Sequence, residues 1–83
     1  MHSSIAAIEF LAAQPAAILG AFQFNGGSVE VLPAMRLVRV TFATANAIEV
    51  FSKPDQYGFG LALPPSLAGY RVYIDPTPAA VTA

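Results

Sequence analysis

Two runs of alternating apolar and polar residues near the middle of the chain give its clearest secondary-structure signal. In Met35–Phe42, valine and phenylalanine take one set of alternate positions, and leucine, arginine and threonine take the other. This two-residue period is typical of a strand. Ala47–Phe51 alternates in the same way, and four small residues separate the two runs. The pattern predicts an antiparallel hairpin. One register of this hairpin would bring Arg39 near Glu49 as a cross-strand ion pair, and the favoured alternative is that both charges point at water.

Further apolar runs lie between turn signals rich in glycine, proline and asparagine. Such residues favour turns because they adopt or fix the backbone angles that turns require. The runs predicted to be strands are Ile18–Phe24, Val29–Leu32, Tyr57–Leu63 and Tyr70–Asp75. Together with the hairpin they predict an all-β, mainly antiparallel fold, a small β-sandwich or barrel of about six short strands.

The length of 83 residues predicts a single domain over residues 1–83. Residues 1–14 form an N-terminal arm that is either a strand or a short helix capped by Ser3 or Ser4, with Ile5, Ile8 and Ala12 on one face. The abundance of alanine favours the helix. Residues 15–75 are predicted to be the β core. Residues 76–83 have no periodic face, which predicts an extended tail.

The composition is unusual for a soluble domain, because hydrophobic residues make up 55% of the chain and charged residues only 11%. Soluble domains have about 25% charged residues, and monomers rarely expose apolar patches larger than a few hundred Å². We therefore expect part of the surface to be covered by other subunits. Four basic residues and a net charge of −1 argue against nucleic-acid binding. Without cysteine, no disulfide or thiolate ligand is available.

The sequence argues against both a membrane span and an enzyme active site. Phe10–Val29 contains no charge, but Pro15 and the Gly26-Gly27 pair interrupt it, which argues against a span. His2 is the only histidine and lies at the terminus, and the five acidic residues fall on different predicted elements. Gly58-Phe59-Gly60 lacks the rest of a dinucleotide fingerprint. The sequence therefore predicts no catalytic, cofactor or metal site, and a protein that is not an enzyme.

Aromatic and arginine residues near the C-terminal end are the best interface candidates. Tyrosine and arginine are enriched at the energetically important positions of protein interfaces. The predicted interface residues are Tyr57, Phe59, Arg71 and Tyr73.

The leading functional hypothesis is a structural or interaction subunit that acts by self-association or by docking onto a larger assembly. Its composition resembles that of accessory or decoration proteins of virus particles, which would place it in a virion; this analogy has no motif behind it. The alternative is a small β-barrel that binds a glycan or an apolar ligand through an aromatic face at Tyr57, Phe59 or Tyr70. A third hypothesis is a peptide that binds the membrane interface.

Overall fold

The computed structural model describes residues 4–79. Within them the fold combines helices with one small sheet. The elements are α1 (Ile5–Ala12), α2 (Ala16–Phe24), β1 (Ser28–Leu32), β2 (Leu37–Thr41), α3 (Ala45–Ser52), α4 (Pro54–Tyr57) and β3 (Arg71–Ile74). The predicted all-β sandwich or barrel is therefore wrong, and so is the prediction that residues 15–75 form a β core. His2 and residues 80–83 of the predicted tail lie outside the described residues.

Helix α1 settles the choice between helix and strand in the N-terminal segment. The Ser4 hydroxyl oxygen accepts a hydrogen bond of 3.0 Å from the Ala7 amide, which satisfies a donor that the first helical turn leaves without a partner. The buried side chains of α1 are Ala7 and Phe10. Ile5 and Ile8, which the sequence places on one face of this helix, are both exposed.

Helix α2 replaces the strand predicted at Ile18–Phe24. Ile18 and Phe22 are four residues apart, so they lie on the same face of a helix, and both pack into the core. Phe24 lies on another face and is 89% exposed. The sequence run fits both the two-residue and the helical period, and the core contact of Phe22 favours the helix.

Helix α3 replaces the second strand of the predicted hairpin. The Thr44 hydroxyl oxygen accepts a hydrogen bond of 3.2 Å from the Ala47 amide at the start of this helix. Ala47 and Phe51 are four residues apart and are both buried. The predicted strand Ala47–Phe51 is therefore wrong, because its apolar residues follow the helical period when they pack against the sheet.

The strand predicted at Tyr57–Leu63 is also absent. Tyr57 ends α4, and Gly58 adopts a left-handed backbone with φ of 77°, a conformation that costs glycine little. The segment from there to Pro64 has no regular secondary structure. The segment still contributes to the core, since Phe59 and Leu61 pack against buried residues.

The sheet has the strand order β1-β2-β3, with β2 in the centre. β1 pairs antiparallel with β2, where Val31 lies opposite Val38. β3 pairs parallel with β2, where Val38 is matched with Val72. Parallel neighbours need a long connection, and here α3 and α4 lie in it.

The core lies between the helices and one face of the sheet. Val38 and Val40 on this inner face are 0% exposed. Three phenylalanines join the sheet to the helices. The ring of Phe42, directly after β2, stacks on that of Phe51 at 4.5 Å between centroids and meets Phe22 edge-on at 5.4 Å. The opposite, outer face of the sheet carries the exposed side chains of Glu30, Arg39 and Tyr73, together with Leu37, which is buried.

Candidate functional site

The structure brings together two of the four predicted interface residues. Arg71 and Tyr73 lie on the outer face of β3, two residues apart, and both are exposed. Tyr57 lies on α4, and Phe59 lies in the irregular segment after it. Arg71 and Tyr73 therefore belong to a sheet surface that does not include the other two.

Tyr57 and Phe59 have partners within the chain. The Tyr57 hydroxyl donates a hydrogen bond of 3.2 Å to Glu49, and this bond to a carboxylate raises the pKa of Tyr57. Phe59 is half-buried, with its ring centroid 5.5 Å from that of Phe51. Phe59 thus contributes to packing within the chain, whereas Tyr57 remains at the surface.

β3 forms one edge of the sheet. The Arg71 amide donates to the Arg36 carbonyl at 3.0 Å, and the Asp75 amide donates to the Val40 carbonyl at 2.8 Å. Because alternate residues of a strand point their backbone groups to the same side, the N–H and C=O groups of Val72 and Ile74 point away from β2. No strand within residues 4–79 pairs with them on that side.

A groove of about 450 Å³ runs beside this edge. Its lining comes from the end of α3, from the segment after α4 and from β3, and consists of Phe51, Ser52, Pro54, Gly60, Leu61, Val72, Tyr73 and Ile74. Val72 and Ile74 are only half-buried, although Val38 and Val40 on the same face of the central strand are fully buried. Apolar surface at the groove is therefore left uncovered by the chain itself.

The aromatic residues proposed to bind a glycan do not line this groove. Tyr57, Phe59 and Tyr70 are all absent from its walls. The barrel that would have presented them is also absent, since the sheet has three strands in the described part of the chain.

Arg39 on the central strand organises the charges of the outer face. Its guanidinium lies 2.5 Å from Asp75 and 3.3 Å from Glu30. Arg39 does not pair with Glu49, because Glu49 lies on α3, where it is 3.9 Å from Lys53, and the favoured expectation that both charges simply point at water is also wrong. The strand register explains the observed pairing with Glu30, which lies directly opposite Arg39 on β1.

Asp75, directly after β3, is held in its charged form. Its carboxylate accepts a hydrogen bond of 2.9 Å from the Thr77 amide and two hydrogen bonds from Arg39. Mainly through the Thr77 bond, and then through Arg39, these contacts lower the pKa of Asp75 below its ordinary value of 3.8. Asp75 in turn raises the pKa of Arg39. Arg71 forms no ion pair within residues 4–79, so β3 begins beside an uncompensated positive charge and ends beside a negative one.

Apolar side chains are also exposed away from the sheet edge. Ile5 is 77%, Ile8 54%, Phe24 89% and Met35 64% exposed. The helices between residues 4 and 79 are all too short or too polar to cross a membrane. In the same part of the chain no group of acidic or histidine side chains could hold a metal ion.

Sequence reasoning placed Arg71 and Tyr73 on the outward face of their strand, as the structure has them, but missed the groove beside them. The groove depends on the end of α3, which the alternating pattern had assigned to a strand. The capping Thr44 and the spacing of Ala47 and Phe51 are the signals that could have indicated this helix.

Comparisons of the chain with protein-family models, with curated proteins and with solved structures found no match. Function is therefore inferred from the exposed side chains and from the geometry of the sheet edge.

Proposed function

We propose that this protein is a non-enzymatic interaction subunit that acts by self-association. The observation that carries the proposal is the exposure of large hydrophobic side chains on a chain with very few charges. Within residues 4–79 these side chains are Ile5, Ile8, Phe24, Met35, Tyr57, Leu63 and Tyr73, each at least 38% exposed.

Burial of this apolar surface would supply the free energy of association. Removing apolar area from water contributes about 25 cal/mol for each Å², and charged groups, which cost free energy to desolvate, make up only 11% of the chain. Oligomer interfaces have the same character, with an apolar centre depleted in charge. The uncovered groove beside β3 adds a concave apolar surface to the same argument.

The association state in solution tests this proposal. Sedimentation velocity and light scattering over a range of micromolar concentrations should show a mass that rises from 8.7 kDa toward at least twice that value. The melting temperature should rise with protein concentration as well, because an oligomer that forms only from folded chains is stabilised by mass action. A mass of 8.7 kDa at every concentration, with a constant melting temperature, would overturn the proposal.

A further inference from the structure

We propose that two copies of this chain associate by antiparallel pairing of their β3 strands about a two-fold axis at Tyr73. The two three-stranded sheets then become one continuous sheet. This inference deepens the proposed self-association, on which it rests, by naming the surface, the partner and the register.

The backbone of β3 is prepared for such pairing. The N–H and C=O groups of Val72 and Ile74 point outward, away from β2, as the hydrogen bonds of Arg71 and Asp75 to β2 require. Exposed strand edges of this kind are templates for pairing with another chain. With the axis at Tyr73, Val72 of one copy lies opposite Ile74 of the other, so the outward groups of both copies meet and exchange hydrogen bonds.

Only a few registers keep the inner face of one copy continuous with that of the other. An axis at Val72 pairs Arg71 with Tyr73 of the second copy. In that register neither Arg71 nor Asp75 has an oppositely charged residue across the strand pair. An axis at Ile74 brings Pro76 into the pairing, and proline has no amide hydrogen to donate. An axis at Tyr73 uses the whole of β3 and avoids Pro76.

The charges at the two ends of β3 select the same register. With the axis at Tyr73, Arg71 of each copy lies opposite Asp75 of the other, on the exposed outer face. Opposite charges at directly paired positions stabilise an antiparallel pair. Arg71 has no ion-pair partner within residues 4–79, and the Asp75 carboxylate stays charged through its contacts with Thr77 and Arg39.

The inner face gains apolar contacts in the same arrangement. Val72 and Ile74 are half-buried and line the groove. In the paired sheet, Val72 of each copy lies beside Ile74 of the other copy. The pairing therefore covers part of the apolar surface that the single chain leaves open.

The other edge of the sheet, formed by β1, is unsuited to pairing with a second copy of itself. β1 has Glu30 at its centre, so a two-fold axis at the middle of β1 would bring Glu30 against its own copy. Like charges directly opposite each other destabilise a strand pair. This contrast assigns the self-pairing edge to β3.

Cysteine cross-linking tests the register, because the chain contains no cysteine of its own. At the axis, residue 73 forms a pair that is not hydrogen-bonded, with Cα atoms about 4.5 Å apart, within the range that a disulfide spans. Tyr73→Cys should therefore form a disulfide-linked dimer under mild oxidation. Arg71→Cys is the matched control on the same strand and face. Its two copies lie four residues apart along the paired strands, or about 13 Å, and it should cross-link at least about tenfold more slowly.

Tyr73→Lys and Arg71→Asp test the same contact without oxidation. The first places two lysines against each other at the axis, and the second places aspartate opposite Asp75 of the second copy. Both should weaken self-association at least about tenfold, whereas Glu30→Lys on the other edge should not. Circular dichroism checks that each variant is folded; a variant that fails to fold is replaced by Tyr73→Glu, which creates the same like-charge pair.

The outcomes separate this inference from the proposed function. A protein that self-associates normally in the Tyr73→Lys and Arg71→Asp variants, or that cross-links as fast through residue 71 as through residue 73, refutes the β3 pairing and leaves self-association standing. A protein that is monomeric without any substitution refutes both.

Discussion

The side-chain amide of Gln14 makes two hydrogen bonds with the backbone of Ala62. The Gln14 side-chain nitrogen donates to the Ala62 carbonyl at 2.8 Å, and its oxygen accepts from the Ala62 amide at 2.8 Å. The same nitrogen also donates to the Phe10 carbonyl at 2.8 Å. Gln14 is the one buried polar residue of the described core region, at 7% exposure. It thereby fixes the irregular segment after α4 to the end of α1.

We predict that Gln14→Ala lowers the free energy of unfolding by about 1–3 kcal/mol, because the three hydrogen bonds of the buried Gln14 side chain are lost. Gln23→Ala is the matched control, since Gln23 is exposed on α2 and should change stability by less than about 0.5 kcal/mol. Urea denaturation of both variants measures the difference. Equal stabilities would show that the Gln14 bonds contribute nothing net.

The sheet strands were predictable because their apolar–polar alternation follows their burial, apart from Leu37, which is buried on the outer face. β1, β2 and β3 correspond to three of the runs identified from the sequence, and Arg71 and Tyr73 face outward as alternation predicts. The alternation of apolar and polar residues does not show which strands pair with each other. β2 pairs with β3 instead of with the run Ala47–Phe51 that follows it in the chain. This pairing depends on α3 packing against the sheet, which is a tertiary effect.

The missed helices have a different cause. Short apolar runs such as Ala16–Phe24 fit both periods, and their type is decided by which residues reach the core. In this run Phe22 reaches the core and Phe24 does not. The groove beside β3 was unpredictable for the same reason, because two of its walls come from α3 and from the irregular segment at Leu61. The Gln14 contact joins residues 48 positions apart, and no local pattern indicates it.

Acid should destabilise the protein partly through Asp75. The folded state lowers the pKa of this carboxyl from 3.8, so its contribution to stability is fully present above the unfolded-state pKa and is lost as the pH falls through the lower folded-state pKa. We predict that the free energy of unfolding decreases below about pH 4, and that this decrease is smaller in Asp75→Asn.

Arg39→Gln gives the intermediate case for this pH dependence. It removes the bonds from Arg39 but leaves the stronger influence of the Thr77 amide on Asp75. The loss of stability on acidification should therefore be largest in the unaltered protein, smaller in Arg39→Gln and smallest in Asp75→Asn. Denaturation midpoints at a series of pH values, measured at low protein concentration, give this order; the same slope in all three proteins would contradict it.

Truncation of Phe42 and of Phe24 to alanine should change the stability by very different amounts. Phe42 is 0% exposed and packs between Phe22 and Phe51, so Phe42→Ala should cost about 3–5 kcal/mol of unfolding free energy. Phe24 is 89% exposed, and Phe24→Ala should change the stability of the monomer by less than about 0.5 kcal/mol. Thermal melts at low concentration compare them. A large loss in Phe24→Ala would mean that this side chain is covered in solution.

Two glycines provide the last matched pair. A Cβ atom on Gly27 would lie 2.7–2.8 Å from three ring atoms of Phe22, and that ring is locked in the core at 1% exposure. Gly27→Ala must therefore displace packed atoms, which typically costs about 1–3 kcal/mol.

A Cβ atom on Gly20 would meet nothing within 4 Å. Because Gly20 lies inside α2, Gly20→Ala should stabilise the protein by about 0.5–1 kcal/mol through helix propensity alone. Urea denaturation of the two variants should give shifts of opposite sign. A stabilising Gly27→Ala would mean that the backbone of Gly27, directly before β1, does not approach Phe22 as closely as the structure shows. A destabilising Gly20→Ala would mean that the exposed side of α2 at this position is covered in solution.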